Sequence, residues 1–452
     1  MKIFLLNPPF MSKFSRSQRS PGVIRSGTLY YPIWLAYATG VLEKAGHECR
    51  LVDAPARDHT LDECLQMAED LRPGLIVVDT STPSIRSDLE AAKALKAQHP
   101  DATVVLVGNH ASSEALHILA DADTTTFVDF ICNQEYDYTL RDLAAVLEQR
   151  GDPLTVAGLF YANNGSPRMT SPRPYIEKLD ELPHVSQVYM RHLDYTKYFY
   201  SITQYPVMTI ITGRGCPYQC TFCQYPQTMH GHSYRYRSEE DVVEEFAWIE
   251  KNVPSVKEIF IEDDTLTVNR PRIRKMSELL IQRGIKLAWT ANSRCDVDEE
   301  TLRWMKKAGC RLLCVGVESG NDEILKNIKK RLKADQVRQF AKAARRAGMM
   351  IHGCFMLGNP GETRETMEQT FQFAKELNFD TAQFFPLMVY PGTEAYEWAL
   401  KNDFLTTHNF SEWVTEAGTH NCVVSRPGLT NADLVNFCKN LNLRELGRLS
   451  LP

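Results

Sequence analysis

The sequence predicts an α/β protein with two parallel-sheet domains in tandem. Short apolar segments alternate with amphipathic helical patterns over residues 1–150, and the alternation returns on a larger scale over residues 206–400. Strands that alternate with helices in this way favour parallel sheets covered by helices. The turn-rich segment 151–205 separates the two regions, and residues 401–452 form a short C-terminal extension.

The first domain is predicted to be Rossmann-like. Its strand candidates are KIFLLN, ECRLVDA, GLIVVDT, ATVVLVGN and TFVDFIC, with helical patterns such as PIWLAYATGVLEKAG between them. Open parallel sheets bind ligands at the carboxyl ends of their strands. Those ends carry small or polar residues that suit the close approach of a ligand: Asn7, Pro8, Pro9, Asp79, Thr80, Ser81, Thr82, Gly108, Asn109 and His110.

Residues 151–205 break this rhythm. The stretch YANNGSPRMTSPRPY is rich in turn-forming residues, and LDELPHVSQVY continues as an irregular connector. We predict a linker with room for a small hairpin.

The second domain is predicted to be a partial (β/α)6 TIM barrel. Its strand candidates are VMTIITG, EIFIEDD, LAWTANS, LLCVGVES, MIHGCFML and TAQFFPLMV, each followed by a helical pattern. Six strand–helix units are fewer than the eight of a closed barrel, and chemistry in such folds gathers at the C-terminal ends of the strands.

The C-terminal extension is predicted to end in a helix. The stretch LTNADLVNF offers Thr430 or Asn431 as the N-cap and Asp433 in the first turn. Cys422, which precedes it, is expected to be a structural core residue.

Composition narrows the class of protein. The net charge of −5 argues against broad, nonspecific binding to nucleic acid. No apolar run approaches the roughly 18 to 20 residues of a membrane span, and MKIFLLNPPF is typical of a buried strand and a turn rather than a signal peptide. We therefore expect a cytoplasmic protein without a transmembrane segment, in which most cysteines are isolated core residues.

Three cysteines are not isolated. Cys216, Cys220 and Cys223 stand in GRGCPYQCTFCQYPQ, directly after the first strand of the second domain. Their spacing favours a four-iron four-sulfur cluster with one open iron. Zinc completed by His230 or His232 is an alternative, although structural zinc usually takes four ligands from two separated pairs. Inert thiols are the third interpretation.

The motif Cys216-x3-Cys220-x-Phe222-Cys223 resembles that of the radical S-adenosylmethionine (SAM) superfamily. The resemblance implies that the open iron chelates SAM and that one electron cleaves it to a 5′-deoxyadenosyl radical, which abstracts hydrogen from an unactivated carbon. The segments IEDDTLT, TANSRCD, VGVESG, MLGNPGET and YPGT resemble further family motifs at successive strand ends. They imply SAM contacts by Phe222, Asp263, Asp264, Asn292, Arg294, Glu318, Ser319, Met356 and Leu357. Read alone, Glu318 could be a surface carboxylate and GNPGET a turn with a helix cap.

The N-terminal domain resembles that of the cobalamin-binding class of this superfamily, in LLNPPF, DTSTPS, VGNH and NQEYDYTL. The resemblance implies cobalamin contacts at the strand-end residues named above and at Glu135 and Tyr136. The Asp-x-His-x-x-Gly motif that ligates cobalt in classical domains is missing, so we expect no His ligand through that motif. A degenerate domain that only caps the barrel is the alternative.

Several other segments, including VDAPA, RPYIEKLDELPHV, YPQTMHGHSYRYRS and LKNIKKRL, resemble hopanoid-biosynthesis-associated radical SAM proteins. That resemblance implies a sugar- or polyol-like substrate, including a sugar or polyol linked to a lipid. His232, Arg235 and Arg237 suit its hydroxyl or phosphate groups, or else belong to a connector whose arginines face water.

Three functions follow. The first is rearrangement or cyclisation of a sugar- or polyol-like head group by a cobalamin-dependent radical enzyme. The second is C-methylation from methylcobalamin, and the third is a non-enzymatic carrier of cluster or cobalamin. Either enzyme needs an external electron donor such as flavodoxin or ferredoxin. No catalytic acid or base stands out, because His352 and Tyr390, near strand ends, are typical of core residues.

Overall fold

The computed structural model describes residues 1–443, which divide into two compact units. The first unit comprises residues 1–199, 227–231 and 409–420, and the second comprises 200–226, 232–408 and 421 onwards. Of the predicted extension 401–452, residues 444–452 lie outside the described range. No helix within that range is long and apolar enough to cross a membrane.

The first unit is built on one seven-stranded sheet. Its strands are β1 (Lys2–Asn7), β2 (Glu48–Asp53), β3 (Leu75–Asp79), β4 (Thr103–Val107), β5 (Phe130–Cys132), β6 (Leu159–Asn163) and β7 (Ser166–Met169). Its helices are α1 (Ile33–Lys44), α2 (Ala54–Arg57), α3 (Leu61–Leu71), α4 (Ile85–Gln98), α5 (Asn109–Ala120), α6 (Asp137–Glu148) and α7 (Val185–His192). The strand order is β2-β1-β3-β4-β5-β6-β7, and β1 to β5 are parallel.

The order of the parallel strands positions a ligand site. Strands β1, β3 and β4 are fully buried along almost their whole length, as expected for parallel strands covered on both faces. The chain order reverses between β1 and β3, and the crevice at such a switch point is where open α/β sheets bind ligands. The Rossmann-like prediction is confirmed.

The segment predicted as a linker contains the hairpin of β6 and β7. Its two-residue turn is Asn164-Gly165, and both residues have positive φ, as a type I′ turn requires. The hairpin continues the sheet, because β6 pairs antiparallel with β5.

The second unit contains a six-stranded parallel sheet. Its strands are β8 (Val207–Ile210), β11 (Glu258–Ile261), β12 (Ala288–Ser293), β13 (Cys310–Glu318), β14 (Met350–Leu357) and β15 (Thr381–Pro386), and a small antiparallel ribbon is formed by β9 (Gly213–Arg214) and β10 (Arg235–Tyr236). Its helices are α8 (Glu239–Asn252), α9 (Arg270–Arg283), α10 (Glu299–Lys307), α11 (Asp322–Asn327), α12 (Ala334–Ala347), α13 (Arg364–Leu377), α14 (Glu394–Lys401) and α15 (Asn431–Leu443).

All six predicted strands of this unit are present, and each pairs with its neighbours in chain order. Alternation along each strand divides the sheet into a face toward the helices and an inner face. Trp289, for example, faces α10 and donates its indole N–H to the carbonyl of Ala308 at 2.9 Å. Helix α15 begins after Thr430, whose hydroxyl accepts from the amide of Asp433 at 3.1 Å, so Thr430 is the predicted N-cap.

Candidate active site

The cysteine loop begins at the C-terminal end of β8, and two aspartates from the end of β11 fix its first residues. Asp263 accepts from the amide and the hydroxyl of Thr212, both at 2.6 Å. Asp264 accepts from the amide of Gly215 at 2.9 Å. Gly215 has φ of +85°, a left-handed conformation that favours glycine. The residue before Cys216 is thus held by both a backbone preference and a hydrogen bond.

Contacts from three other segments hold the rest of the loop. The Thr221 amide donates to the carbonyl of Ile328 at 3.2 Å, and the Thr221 carbonyl accepts from Ala395 at 2.9 Å. His232 Nδ1 lies 3.2 Å from the Cys216 carbonyl and 3.1 Å from the Tyr218 carbonyl. Since carbonyls only accept, Nδ1 donates to them and His232 braces the loop.

The three loop thiols do not converge as closely as the ligands of one metal ion do. Among residues 1–443, three Cys, His, Asp or Glu ligand atoms converge within 4.8 Å only at Cys314, His352 and Cys354. Among the three loop cysteines, at least one pair of thiols is therefore more than 4.8 Å apart, which is wider than the spacing of two thiolates on one zinc ion. Burial, the largest cause, raises the pKa of Cys216 to about 11, so metal ligation would release a tightly held proton.

Arg294 fastens the loop to its neighbours. Its guanidinium carbon lies 3.5 Å from the ring centroid of Tyr218, a cation–π distance. It also pairs with Asp296 at 3.3 Å and donates to the carbonyl of Lys330 at 2.8 Å. Arg294 is buried, so it is a positioning residue of the cysteine loop, and a contact with SAM remains a prediction.

A buried ion pair lies at the end of β13. Glu318 has φ of +67°, which is uncommon for a residue with a side chain, and the strand register shifts between Gly316 and Glu318. Its carboxylate accepts from Lys330 Nζ at 2.8 Å, and both side chains are buried. Lys330 was not predicted from the sequence, and only the need of a buried carboxylate for a cation could have pointed to it.

Two predicted SAM contacts have other partners within the fold. Asp263 is fully buried, and its Oδ2 accepts from Tyr234 at 3.0 Å in addition to Thr212. Ser319 is also fully buried, with its hydroxyl 3.1 Å from Thr370 Oγ1 and accepting from the amide of Asn321. Both residues shape the backbone of the site, and their direct contact with SAM remains a prediction.

The turn after β14 is organised by Glu362. Its carboxylate accepts from the amides of Gly358 at 2.6 Å and Asn359 at 2.8 Å, while the Asn359 side chain donates to the carbonyl of Met356 at 2.7 Å. Burial raises the pKa of Glu362 to about 7. The turn thereby presents Met356 and Leu357 at the strand end, where the family resemblance implies contacts with SAM.

Several buried polar atoms at these strand ends have no hydrogen-bond partner among residues 1–443. They are Thr265 Oγ1 after β11, Asn292 Nδ2 in β12 and Glu362 Oε1 after β14. Phe222 is half-buried on the loop between Cys220 and Cys223. Because buried polar atoms are normally satisfied, these atoms suit a polar ligand at this edge.

Arg237 does not take either predicted role. It is buried and paired with Asp241 at 2.6 Å and Glu245 at 2.5 Å, and it donates to the carbonyl of Ile211 at 2.9 Å. The expectation that it binds a substrate group or faces water is wrong, because Glu245 is itself fully buried and needs a cation. Arg235 is likewise buried.

In the first unit, a buried arginine connects the end of β1 with helix α4, which follows β3. Arg16 donates to Asn7 Oδ1 at 2.7 Å, to the Pro8 carbonyl at 2.6 Å and to Asp88 at 2.6 Å. Asn7 donates in turn to Asp53 at 2.7 Å, and Tyr198 donates to the same carboxylate at 2.7 Å. Pro9 follows, half-buried, and its carbonyl accepts from Ser87 at 2.9 Å. Sequence reasoning missed Arg16, since nothing local marks it as buried.

Three other predicted segments lie at the same sheet edge. Thr80 donates to the carbonyl of Val107 at 2.7 Å, and a Cβ at Gly108 would lie 2.5 Å from the Thr80 carbonyl. His110 Nδ1 lies 3.1 Å from Thr82 Oγ1, and burial lowers the pKa of His110 to about 3. The imidazole is therefore neutral at physiological pH.

The remaining predicted cobalamin residues lie at or near this edge, and all are buried except Asn109, which is half-buried. Ser81 Oγ lies 2.6 Å from Ser84 Oγ, and Asn109 accepts from Thr228 Oγ1 at 3.1 Å. Glu135 accepts from the amide of Ile176 at 3.0 Å, and Tyr136 is buried beside it in the chain. Direct contact of each with cobalamin remains a prediction.

Each of the two units contains a match to a known protein family. The Radical SAM superfamily matches residues 210–374, and the B12 binding domain matches residues 19–144. A relative from Pyrococcus horikoshii, described as an uncharacterized methyltransferase, is 30% identical over 92% of this chain and 86% of its own length.

Two further relatives differ in their described activity. An anaerobic magnesium-protoporphyrin IX monomethyl ester cyclase from Rubrivivax gelatinosus is 27% identical over 81% of this chain and 66% of the relative. A hopanoid C-3 methylase from Methylococcus capsulatus is 25% identical over 84% of this chain and 70% of the relative. The radical SAM methyltransferase TsrM from Kitasatospora setae, solved with cobalamin and a 4Fe–4S cluster, has a similar fold, with a TM-score of 0.75. The two chains are 17% identical, and the match covers 100% of this chain and 91% of TsrM.

The fold and the site thus define a cobalamin-binding radical enzyme. The chain belongs to the radical SAM superfamily, in the class that carries a B12-binding domain. Its cofactors are a 4Fe–4S cluster, SAM and cobalamin, and the predictions of family, fold class and cofactors are confirmed.

The residues present fit these groups. The three cysteines share one braced loop, and the unsatisfied amide of Asn292 and hydroxyl of Thr265 lie at the adjacent strand ends. In the first unit, the predicted contacts lie at the carboxyl edge of a sheet with a switch point at β1 and β3.

Proposed function

We propose that this enzyme is a C-methyltransferase, which moves a methyl group from SAM to an unactivated carbon of a small molecule. The observation that supports this choice is the match of relatives described as methyltransferase or methylase over 92% and 84% of this chain. Both relatives are also covered over most of their own length.

When bound, the cluster supplies one-electron cleavage of SAM, and cobalamin supplies a methyl carrier. Cys216, Cys220 and Cys223 would hold three irons and leave the fourth for SAM. Asn292 and Glu318 would face the polar end of SAM, with Lys330 orienting the Glu318 carboxylate.

The protein itself contributes rigidity around the cysteine loop. Arg294, His232, Asp263 and Asp264 each hold a specific part of the cysteine loop. Positioning of this kind lowers the entropy that must be lost when the reacting groups meet. An electron donor of the flavodoxin or ferredoxin type would supply the reductant that radical SAM enzymes need.

Rearrangement or cyclisation of a sugar- or polyol-like head group receives no support from the comparisons. The cyclase relative matches 81% of this chain, so ring closure is the outcome that an experiment must distinguish from methyl transfer.

The test uses the full chain, reconstituted with iron and sulfide without oxygen, then given hydroxocobalamin, a reductant and SAM with a trideuterated methyl group. Mass spectrometry follows 5′-deoxyadenosine, S-adenosylhomocysteine and the label in extracts supplied as substrate. Methyl transfer predicts both nucleoside products in about equal amounts, with label in an acceptor.

Omission of cobalamin is the matched control and should suppress S-adenosylhomocysteine. Sustained 5′-deoxyadenosine without S-adenosylhomocysteine in the complete mixture would contradict methyl transfer and favour cyclisation. Failure to form either nucleoside with a fully loaded cluster would favour the carrier.

A further inference from the structure

A second group of metal-ligating side chains lies on the inner face of the barrel sheet. Cys314 in β13 is in register with His352 in β14, and Cys354 follows two residues later on the same strand. Their ligand atoms all lie within 4.8 Å of one another. They belong to none of the motifs used above for the cluster or for SAM.

The position of Gly353 shows which face these side chains occupy. A Cβ at Gly353 would lie 2.7 Å from the ring of Phe379, which packs edge-on against Phe340 of α12. Gly353 therefore faces the helices. Alternation along β14 places His352 and Cys354 on the opposite, inner face.

The distance between the two thiols matches one tetrahedral ion. Cys314 Sγ and Cys354 Sγ are 3.8 Å apart. Two Zn–S bonds of about 2.3 Å at a tetrahedral angle separate the sulfurs by about 3.8 Å. A disulfide would need about 2.05 Å, and Cys354 forms no such bond in the structure.

The histidine is oriented as a metal ligand. His352 Nδ1 lies 2.7 Å from Thr381 Oγ1, and His352 and Thr381 are in register on β14 and β15. A ligating histidine typically gives its other ring N–H to a neighbouring acceptor, which fixes the ring. The side chain of Gln383, in register with Cys354, also hydrogen-bonds to His352. Zinc binding therefore requires a ring nitrogen of His352 to exchange that contact for the metal.

We propose that Cys314, His352 and Cys354 bind a zinc ion with one exchangeable coordination position on the inner face of the sheet. Two thiolates and an imidazole suit zinc, and three protein ligands with an open fourth position are the pattern of catalytic rather than structural zinc. Two thiolates also neutralise the charge of the ion in this half-buried setting. The proposal does not depend on which reaction the enzyme catalyses.

The test measures metal content in the full chain with Cys216, Cys220 and Cys223 all changed to Ala, so that zinc cannot occupy the cluster loop. The protein is purified without oxygen, equilibrated with Zn²⁺, freed of excess metal and analysed by mass spectrometry. We expect about one zinc ion per chain, and close to none after the further change Cys354→Ser.

Matched variants separate ligation from folding. Cys310→Ser removes a buried cysteine from the same strand, β13, and should retain zinc. Thr381→Val keeps all three ligands and should weaken zinc affinity about 10-fold to 100-fold. Co²⁺ in place of zinc should give the thiolate charge-transfer and tetrahedral ligand-field absorption bands, and Cys354→Ser should abolish them.

Equal zinc content with and without Cys354→Ser would overturn the proposal. So would bound cobalt that lacks thiolate absorption, or a disulfide between Cys314 and Cys354 in the protein purified without oxygen.

Discussion

Oppositely charged side chains are buried in pairs near strand ends in both units. Lys330 and Glu318 pair at 2.8 Å in the second unit, and Arg16 and Asp88 pair at 2.6 Å in the first. A buried pair gains little net free energy over an apolar pair, but losing one member leaves an uncompensated charge. Each pair therefore holds its strand end in one arrangement.

The pair at Glu318 can be tested by a double-mutant cycle. Lys330→Met should lower the free energy of unfolding by about 3 to 5 kcal/mol, because it leaves the Glu318 carboxylate buried alone. Adding Glu318→Gln to the same chain should recover a large part of this loss. Urea denaturation of the four proteins measures the coupling, and additive losses would contradict a direct pair.

The cluster ligands make a sharper residue-scale prediction. Cys223→Ala should abolish 5′-deoxyadenosine formation, while the far-UV circular dichroism spectrum stays unchanged because the loop lies outside the strands. Cys310→Ser, which changes a buried cysteine in a strand, should keep cluster-dependent SAM cleavage. Normal 5′-deoxyadenosine formation by Cys223→Ala would refute the assignment of the cluster.

At the scale of elements, the β4–α5 junction depends on one glycine. Gly108 has φ of +102°, and an added Cβ would lie 2.5 Å from the Thr80 carbonyl. Gly46 has a similar φ of +91° but nothing within 4 Å of an added Cβ. Gly46→Ala should cost about 1 to 2 kcal/mol of unfolding free energy from backbone strain alone.

Gly108→Ala should cost clearly more than Gly46→Ala, since the Thr80 carbonyl must move as well. Chemical denaturation of the two variants gives the difference. Equal losses would mean that the junction relaxes freely around the added carbon.

The turn after β14 should make stability depend on pH. Burial raises the pKa of Glu362 from 4.5 to about 7. The folded protein then holds this proton more tightly than the unfolded chain does, so the unfolding free energy falls as pH rises from about 4.5 to about 7. The loss contributed by this group is about 3 kcal/mol.

Glu362→Gln should remove that contribution, and Glu365→Gln, at an exposed site on α13, should leave it unchanged. Denaturation of the apoprotein at several pH values measures this contribution of Glu362 to the unfolding free energy. Parallel curves for wild type and Glu362→Gln would contradict the prediction.

Some of these elements could be predicted from the sequence, and some of the residues that hold them could not. The apolar runs predicted all six barrel strands and the five parallel strands of the first unit, because buried parallel strands require such runs. The cysteine loop was local enough to be identified from its spacing. Lys330 and Arg16 were not, because their partners are 12 and 72 residues away and only folding brings them together.

At the scale of the whole molecule, we assign the 4Fe–4S cluster to the second unit and cobalamin to the first. The binding of each cofactor can therefore be tested separately. The chain with all three cluster cysteines changed to Ala should bind no 4Fe–4S cluster but still bind about one equivalent of hydroxocobalamin. At a free concentration of a hundred times Kd, hydroxocobalamin should stabilise the folded form of this variant by about 2.7 kcal/mol. Absorbance after gel filtration and thermal melting measure the two effects, and loss of cobalamin binding in this variant would contradict the assignment.

The hairpin of β6 and β7 also bears on solubility. An open sheet exposes unpaired amides along its outermost strand, where strands of other molecules can add. Strand β7 is only four residues long, includes Pro167, which has no amide hydrogen to offer, and carries the positive charge of Arg168. This edge of the seven-stranded sheet is therefore a poor template for aggregation, even at high protein concentration.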